Sequence, residues 1–425
     1  MAQATHVTPY PSIPSLHPLS PVRLLFPLFP LCFLTAFVSD MTAQIEPRST
    51  AVLDPEEEAE FAELEAFFTE GNDEQEATAQ PLPLAVSDWF WSSTAFLGVG
   101  YDDNPLQSSR PVASAFVQPE WEIFGSWTPG SRVSGTLFAY LQTRQFERTE
   151  IEAEYTATVY ATGEAHTTEW VWRLTGDLLY ARQIYDATRL PSAPTRTSGL
   201  TTQTLPRIAF SGQRSLTNTW RIEPYLSAAR SWFEEIDEDY WAFRGELRVA
   251  SGAPQDSRIE FFIGAEHERY LYSLARTERG VRLTETPLRI NSLIAGGRGA
   301  LVWGTDKDWS LALNAWVAYE DDDQGDYNER WRFHLSPELR WRSGRWDLST
   351  RITLRHIDYV ARLSSSLSSA QEEWHQRLAI SIHGSYDWNE HWSTQVNLAL
   401  ADLDTNRAMI AYRQRSITGI CSYHF

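Results

Sequence analysis

The sequence predicts an all-β protein, a transmembrane antiparallel up-and-down β-barrel of about 16 strands, with about 14 or 18 also compatible with the pattern. Three observations carry this prediction. Alternating apolar and polar segments run almost without interruption from Ala85 to Phe425. The chain holds 18 Trp, 17 Tyr and 20 Phe, with tryptophans concentrated near segment ends. Short turns alternate with longer, more polar connections.

Each observation has a physical reason. A sheet in lipid must pair every backbone N–H and C=O, so it closes on itself, and its side chains then alternate between lipid and lumen. Arg330 to Arg342 reads this way over its whole length. Trp331, Phe333, Leu335, Pro337, Leu339 and Trp341 fall on one face, with only polar groups opposite. Indole is favoured at both membrane–water interfaces, which accounts for Trp at the two ends of that apolar face. Only half of a barrel strand faces lipid, so a mean hydropathy of −0.37 is compatible with insertion.

Two segments precede the barrel. Leu24–Val38 is an apolar run preceded by Arg23 and followed by Ala43, so residues 1–43 are expected to be a cleaved signal peptide. Residues 44–84 form an acidic segment with a helix near 54–70. Asp54 would be its N-cap, Pro55 its first residue and Gly71 its C-cap. Phe61, Leu64 and Phe68 share one face of that helix, and this face is the candidate contact for a periplasmic partner or a pore plug. A poorly ordered acidic tether is the alternative.

The remainder, 85–425, divides into strands at short turns near Pro129-Gly130, Gly163-Glu164, Thr217-Asn218, Ala253-Pro254, Thr305-Asp306, Ser343-Gly344 and Asn389-Glu390. Longer connections fall near Asp102 to Pro111, Arg148, Asp186 to Gly199, Glu235 to Asp239, Ala275 to Glu285, Asp321 to Asn328, Ala361 to Glu372 and Thr405. The chain terminus lies on the short-turn side, which predicts periplasmic N- and C-termini and external long loops. Trp127, Trp170, Trp220, Trp303, Trp309, Trp341, Trp346, Trp388 and Trp392 flank the short turns and are the expected periplasmic aromatic girdle. Tyr423 and the terminal Phe425 close the last strand as the expected signal to the barrel assembly machinery.

Alternation also sorts the charges. A one-residue slip would place arginines in lipid at about 2–4 kcal/mol each near the midplane. The expected pore-lining residues are Arg244, Glu246, Arg248, Arg330, Arg332, Glu338, Arg340, Arg342, Arg351, Arg355 and Arg377, and His334, Asp347, His383 and Asp387 share their face. Arg-rich walls order water and pass anionic groups along a ladder. The competing reading has these arginines pair with lumenal carboxylates and hold the barrel in shape. Arg413 and Arg415 are expected outside, at the level of lipopolysaccharide phosphates or solvated at the rim.

Composition excludes several classes. Net charge is −20, of which the first 84 residues hold −11, so no basic nucleic-acid footprint exists. Basic residues are 35 Arg and a single Lys, Lys307. Cys32 falls in the expected leader, which leaves Cys421 alone and gives no disulfide or cysteine metal site. The acidic stretches Glu234–Asp239 and Asp321–Asp326 miss the EF-hand spacing and read as solvated charge. No cofactor or metal is expected. A hydrolase would need a group such as His356, Asp358 and Ser364–Ser366, which lacks any nucleophile-elbow or zinc signature, so no enzymatic activity is expected.

The first strand, Trp89 to Tyr101, exits through Gly100-Tyr101-Asp102-Asp103-Asn104-Pro105. This exit resembles the opening strand of bacterial outer-membrane β-barrel porins, including barrels associated with exopolysaccharide gene clusters. The resemblance implies a pore or a role in polysaccharide export, and supplies no catalytic residues. The expected function is an outer-membrane channel for small anionic or saccharide solutes, surrounded by outer-membrane lipids and lipopolysaccharide. The alternative is a structural barrel of a surface-polysaccharide export system.

Overall fold

In the computed structural model the described residues run from 89 to 425, apart from 109–110, 131, 150, 185–199, 235, 252–256, 278–280, 305–306, 324, 364–370 and 408–409. The expected signal peptide and acidic helix lie outside the described residues. Sixteen strands follow in chain order: β1 (Trp89–Asp102), β2 (Ser114–Gly130), β3 (Val133–Phe146), β4 (Glu154–His166), β5 (Trp170–Ile184), β6 (Leu200–Ser215), β7 (Trp220–Phe233), β8 (Tyr240–Ser251), β9 (Arg258–Arg276), β10 (Arg282–Trp303), β11 (Trp309–Asp322), β12 (Arg330–Ser343), β13 (Trp346–Leu363), β14 (Glu372–Asp387), β15 (Trp392–Thr405) and β16 (Tyr412–His424). Each pairs with its chain neighbours, and β1 pairs antiparallel with β16, so the sheet closes into a barrel. The strand number, the antiparallel order and the closure are those the alternation predicts.

Five of the seven connections on the rim that carries Trp89 and Phe425 are short, at 131–132, 167–169, 216–219, 344–345 and 388–391. The opposite rim carries 103–113, 147–153, 234–239, 323–329 and 406–411. The two-residue turn 344–345 uses Gly344 at φ 58, a left-handed conformation that costs glycine least.

Side chains alternate as the period of two requires. Leu97, Leu226, Ile263 and Leu293 on the outer face are 58%, 63%, 63% and 66% exposed, while Phe96 and Gln118 on the inner face are buried. Two outward glycines accept a neighbouring indole. Trp91 pairs across to Gly125 and Trp172 to Gly212, and at each glycine a Cβ would lie 2.4 Å from the ring. The ring thus covers backbone that a larger residue would displace.

Aromatic rings band both rims. On the short-turn rim Trp303, Trp309 and Trp341 are in register across β10, β11 and β12, with successive centroids 6.2 and 6.3 Å apart. The band continues through Trp346–Tyr386 at 4.7 Å and Tyr386–Trp388 at 4.9 Å to Trp392–Tyr423 at 4.9 Å and Tyr423–Phe425 at 4.8 Å. Trp127, Trp170 and Trp220 sit at the same ends of β2, β5 and β7. Trp89, Trp91 and Trp172 belong to this band too, with Trp89 stacked on both Trp91 and Trp127. At the opposite rim Tyr319 packs on Trp331 at 4.8 Å, and Trp241 stacks on Phe243 at 6.4 Å.

The Asp102-Asp103-Asn104 exit fastens the closing seam. Asp102 accepts from the Asn104 N–H at 2.9 Å and from Gln414 Nε2 at 2.8 Å, and Asp103 accepts from the Arg415 N–H at 2.6 Å. Asn104, fully buried, donates to the carbonyls of Ser108 and Arg413 at 2.9 and 2.8 Å. A turn-capping motif therefore also joins the first strand to the last.

The acidic loops depart from the expected solvated runs. Glu238 and Asp239 are buried, where Glu238 accepts from Ser273 Oγ at 2.9 Å and Asp239 from the Phe233 N–H at 2.8 Å. Asp322 is likewise buried and accepts from Asn328 Nδ2 at 2.9 Å. The physical reason is that strand ends leave backbone and side-chain donors without ladder partners, and a carboxylate nearby in sequence satisfies them.

Candidate functional site: an arginine wall on the inner face

All eleven expected pore-lining residues lie on the inward-facing parity of their strands, opposite the exposed apolar residues. What alternation alone does not give is their partners. Glu246 on β8 sits between Arg244 and Arg248 of the same strand, with Arg248 Nε at 2.8 Å. Glu320 on β11 accepts from both Arg330 and Arg332 of β12, the latter at 2.7 Å. Asp347 on β13 accepts from Arg340 Nε at 2.8 Å and from Arg342 at 3.2 Å. Each of these three groups has two guanidiniums around one carboxylate.

The remaining members extend the wall. Arg351 Nε donates to Glu338 at 3.0 Å, one to one. Arg355 and Arg377 are register partners across β13 and β14, and both are buried. Arg244 also reaches Glu266 at 3.6 Å, and Arg248 reaches Glu223 at 4.0 Å. Side-chain pairing is thus extensive, as the structural reading of these arginines anticipated: the β8 group has acids in excess once Glu266 and Glu223 are included, whereas Glu320 and Asp347 are each shared by two guanidiniums. A buried carboxylate shared by two guanidiniums is fully hydrogen-bonded, which offsets its desolvation.

Aromatic rings stack on the same cations. Arg332 lies 5.2 Å from the Trp316 centroid, and Trp316 stacks on His334 at 5.2 Å. Arg248 lies 4.5 Å from Tyr225, and Arg298 lies 5.3 Å from Phe262. Nearer the long-loop rim Tyr327 of the 323–329 connection is buried, with Arg276 and Arg362 at 5.7 and 4.9 Å from its ring. Glu373 forms an ion pair there with Arg362 at 3.0 Å and contacts His375 at 2.7 Å. Glu320, Trp316 and Tyr327 are residues the sequence reading did not single out. Inward parity marks Glu320 and Trp316 in the sequence, but nothing local marks them as partners of β12.

The residues weighed for hydrolysis are placed elsewhere. His356 and Asp358, 3.7 Å apart, lie on the outward parity of β13, with His356 packed among Phe333 and Trp374. Ser364–Ser366 lie outside the described residues. Among the described residues no group of three or more His, Cys, Asp or Glu is arranged to hold a metal. Arg413, expected outside at the level of lipopolysaccharide phosphates or solvated at the rim, has outward parity and pairs with Asp402 at 2.6 Å.

A closed antiparallel sheet of sixteen strands, apolar outside and polar inside, with aromatic bands at both rims, defines a transmembrane β-barrel. Several solved structures are similar over most of the chain. OmpF of Salmonella typhi in complex with daunomycin is 9% identical, with 79% of this chain and 97% of that chain covered at a TM-score of 0.42. OccAB1 of Acinetobacter baumannii is 10% identical, with 80% and 97% covered at 0.41. OmpT, an outer membrane protein of Vibrio cholerae, is 8% identical, with 81% and 100% covered at 0.40. No protein-family model matches the chain, and no curated protein does.

Proposed function

We propose that this protein is an outer-membrane channel that passes small solutes, with a bias toward anionic solutes or saccharides bearing acidic groups. The observation that carries the reading is the pair of inward groups Arg330–Glu320–Arg332 and Arg340–Asp347–Arg342, in each of which two guanidiniums share one carboxylate. A barrel of sixteen strands is wide enough for an aqueous lumen. Fixed cations on one wall of such a lumen favour anions and orient them by bidentate hydrogen bonds. The short-turn rim, with both Trp89 and Phe425, faces the periplasm in this reading, and the longer connections face outside.

The test is single-channel recording of the refolded chain from Ala85 to Phe425 in planar bilayers, under a salt gradient. Stable conductance steps with an anion-selective reversal potential are expected. Cation selectivity in the open state sinks the anion bias, and a folded barrel without conductance sinks the channel.

A further inference from the structure

The outer face of the barrel carries one cross-strand row that the channel reading does not use. Arg230 on β7 is in register with Trp241 on β8, Trp241 with Arg269 on β9, and Arg269 with Arg289 on β10. All four side chains have outward parity, shared with the exposed Leu226, Phe243, Ile263 and Leu293. Trp241 stands one residue inside the start of β8, at the aromatic band of the long-loop rim. The row is therefore at the depth where lipid tails give way to headgroups.

Arg269 and Arg289 are directly opposed, an arrangement that places like charges about 4.5–5.5 Å apart at Cβ and destabilises a sheet unless something neutralises it. Among the described residues neither has an ion-pair partner. Asp323, just past the end of β11, accepts from Asn291 Nδ2. Asn291 in turn bonds His267 Nδ1 at 2.8 Å, one residue pair further into the membrane. Arg230 is held differently, with its guanidinium 4.6 Å from the Trp232 ring and 5.0 Å from the Trp241 ring. Cation–π stacking fixes this cation in place and leaves its edge available for hydrogen bonds. Other outward arginines contrast with these: Arg182 is paired with Glu152 and Arg413 with Asp402.

The geometry points to a phosphate clamp for an outer-leaflet glycolipid of the lipopolysaccharide type. Arg269 and Arg289 together take one phosphate, and Arg230, two strands away, takes a second position on the same headgroup. Strand spacing of about 4.8 Å puts Arg230 about 10 Å from Arg269, a span suited to a headgroup with two phosphates. Arginine suits the task because its fork binds phosphate bidentately. The acyl chains then lie along Leu226, Phe243, Ile263 and Leu293. This inference rests on the outer-membrane reading and on the long-loop rim facing outside.

The experiment uses the refolded full barrel in neutral-detergent micelles, titrated with diphosphorylated lipid A and read by native mass spectrometry. The probe should bind at least tenfold more tightly to the wild type than to the Arg269→Gln/Arg289→Gln variant, and Arg413→Gln should bind as the wild type does. Lipid A stripped of phosphate should lose the same factor. Equal binding of lipid A by the double variant, equal binding of the stripped lipid or of phosphatidylglycerol, or displacement by millimolar inorganic phosphate each overturns the assignment. Heat-modifiable gel migration checks that each variant is folded. A folded, conducting barrel that ignores lipid A removes the clamp alone, whereas a chain that fails to insert into bilayers removes the outer-membrane reading itself.

Discussion

Two arcs of the same barrel solve the problem of a polar interior in different ways. On β8 and β11 to β13 the inner face is held by charge, with carboxylates shared among guanidiniums. On β15, β16 and β1, below the Asp102–Gln414 contact at the rim, it is held by neutral groups. Ser393 bonds Ser422 at 2.5 Å, Asn397 bonds His383 at 2.6 Å, and Thr94 bonds His424 at 2.9 Å. The neutral arc contains the seam where the first strand meets the last. A hydrogen bond between uncharged groups is nearly indifferent to salt, whereas exposed charge pairs are screened within a Debye length of about 8–10 Å. Below the Asp102 and Asp103 contacts at the rim, the inner face of the seam is thus held by bonds that salt screens little.

Several experiments would break or sharpen this contrast. The largest effect is expected for Glu320→Gln, which leaves Arg330 and Arg332 side by side on one inner face without their shared carboxylate. Removing one partner of a buried network costs about 3–5 kcal/mol. Urea unfolding in lipid vesicles should show it, and a midpoint equal to that of the wild type would mean the triads contribute no stability. The exposed Arg413→Gln change on the outer face should cost less than about 1 kcal/mol in the same assay.

The seam is tested by Asn104→Ala. This removes donors to the Ser108 and Arg413 carbonyls at a fully buried site, at a cost of about 1–3 kcal/mol. The loss should be the same at low and high salt. A loss that shrinks strongly as salt rises would contradict the neutral character assigned to this arc.

Selectivity comes next. Arg340→Gln with Arg342→Gln should lower the anion-to-cation permeability ratio by roughly twofold, while Asp347→Asn should raise it, since fixed charge at the wall sets the local ion concentration. Gln395→Ala on the neutral arc should leave the reversal potential where it was. Identical shifts from both arcs would remove the distinction between them.

The smallest effect belongs to the aromatic band. Trp309→Ala loses stacking on Trp303 and Trp341 and should cost about 1 kcal/mol beyond the buried area, read as the unfolding midpoint in vesicles. No change in selectivity is expected, because Trp309 faces outward.

Much of this architecture was legible in the chain. Strand period is a local property: successive residues must point to opposite faces, so Arg330, Arg332, Arg340 and Arg342 reveal their face without any partner being known. The tryptophans beside short turns announce their rim for the same reason, because they lie within a few residues of a turn that glycine, asparagine or proline marks. Strand number followed from counting those turns. The acidic stretches misled where composition was taken for solvation, since Asp239 and Asp322 are used by donors a few residues away.

The sequence by itself therefore determined the barrel, its strand order and which face each charge occupies, because period and turn chemistry act over a few residues. Only the tertiary structure decided which groups meet. Glu320 serves two arginines of the next strand, Asn104 reaches Arg413 across the seam, and Arg269 opposes Arg289 on the outer face. Those juxtapositions depend on register and on closure, which are set by the whole sheet at once and leave no mark in any single segment.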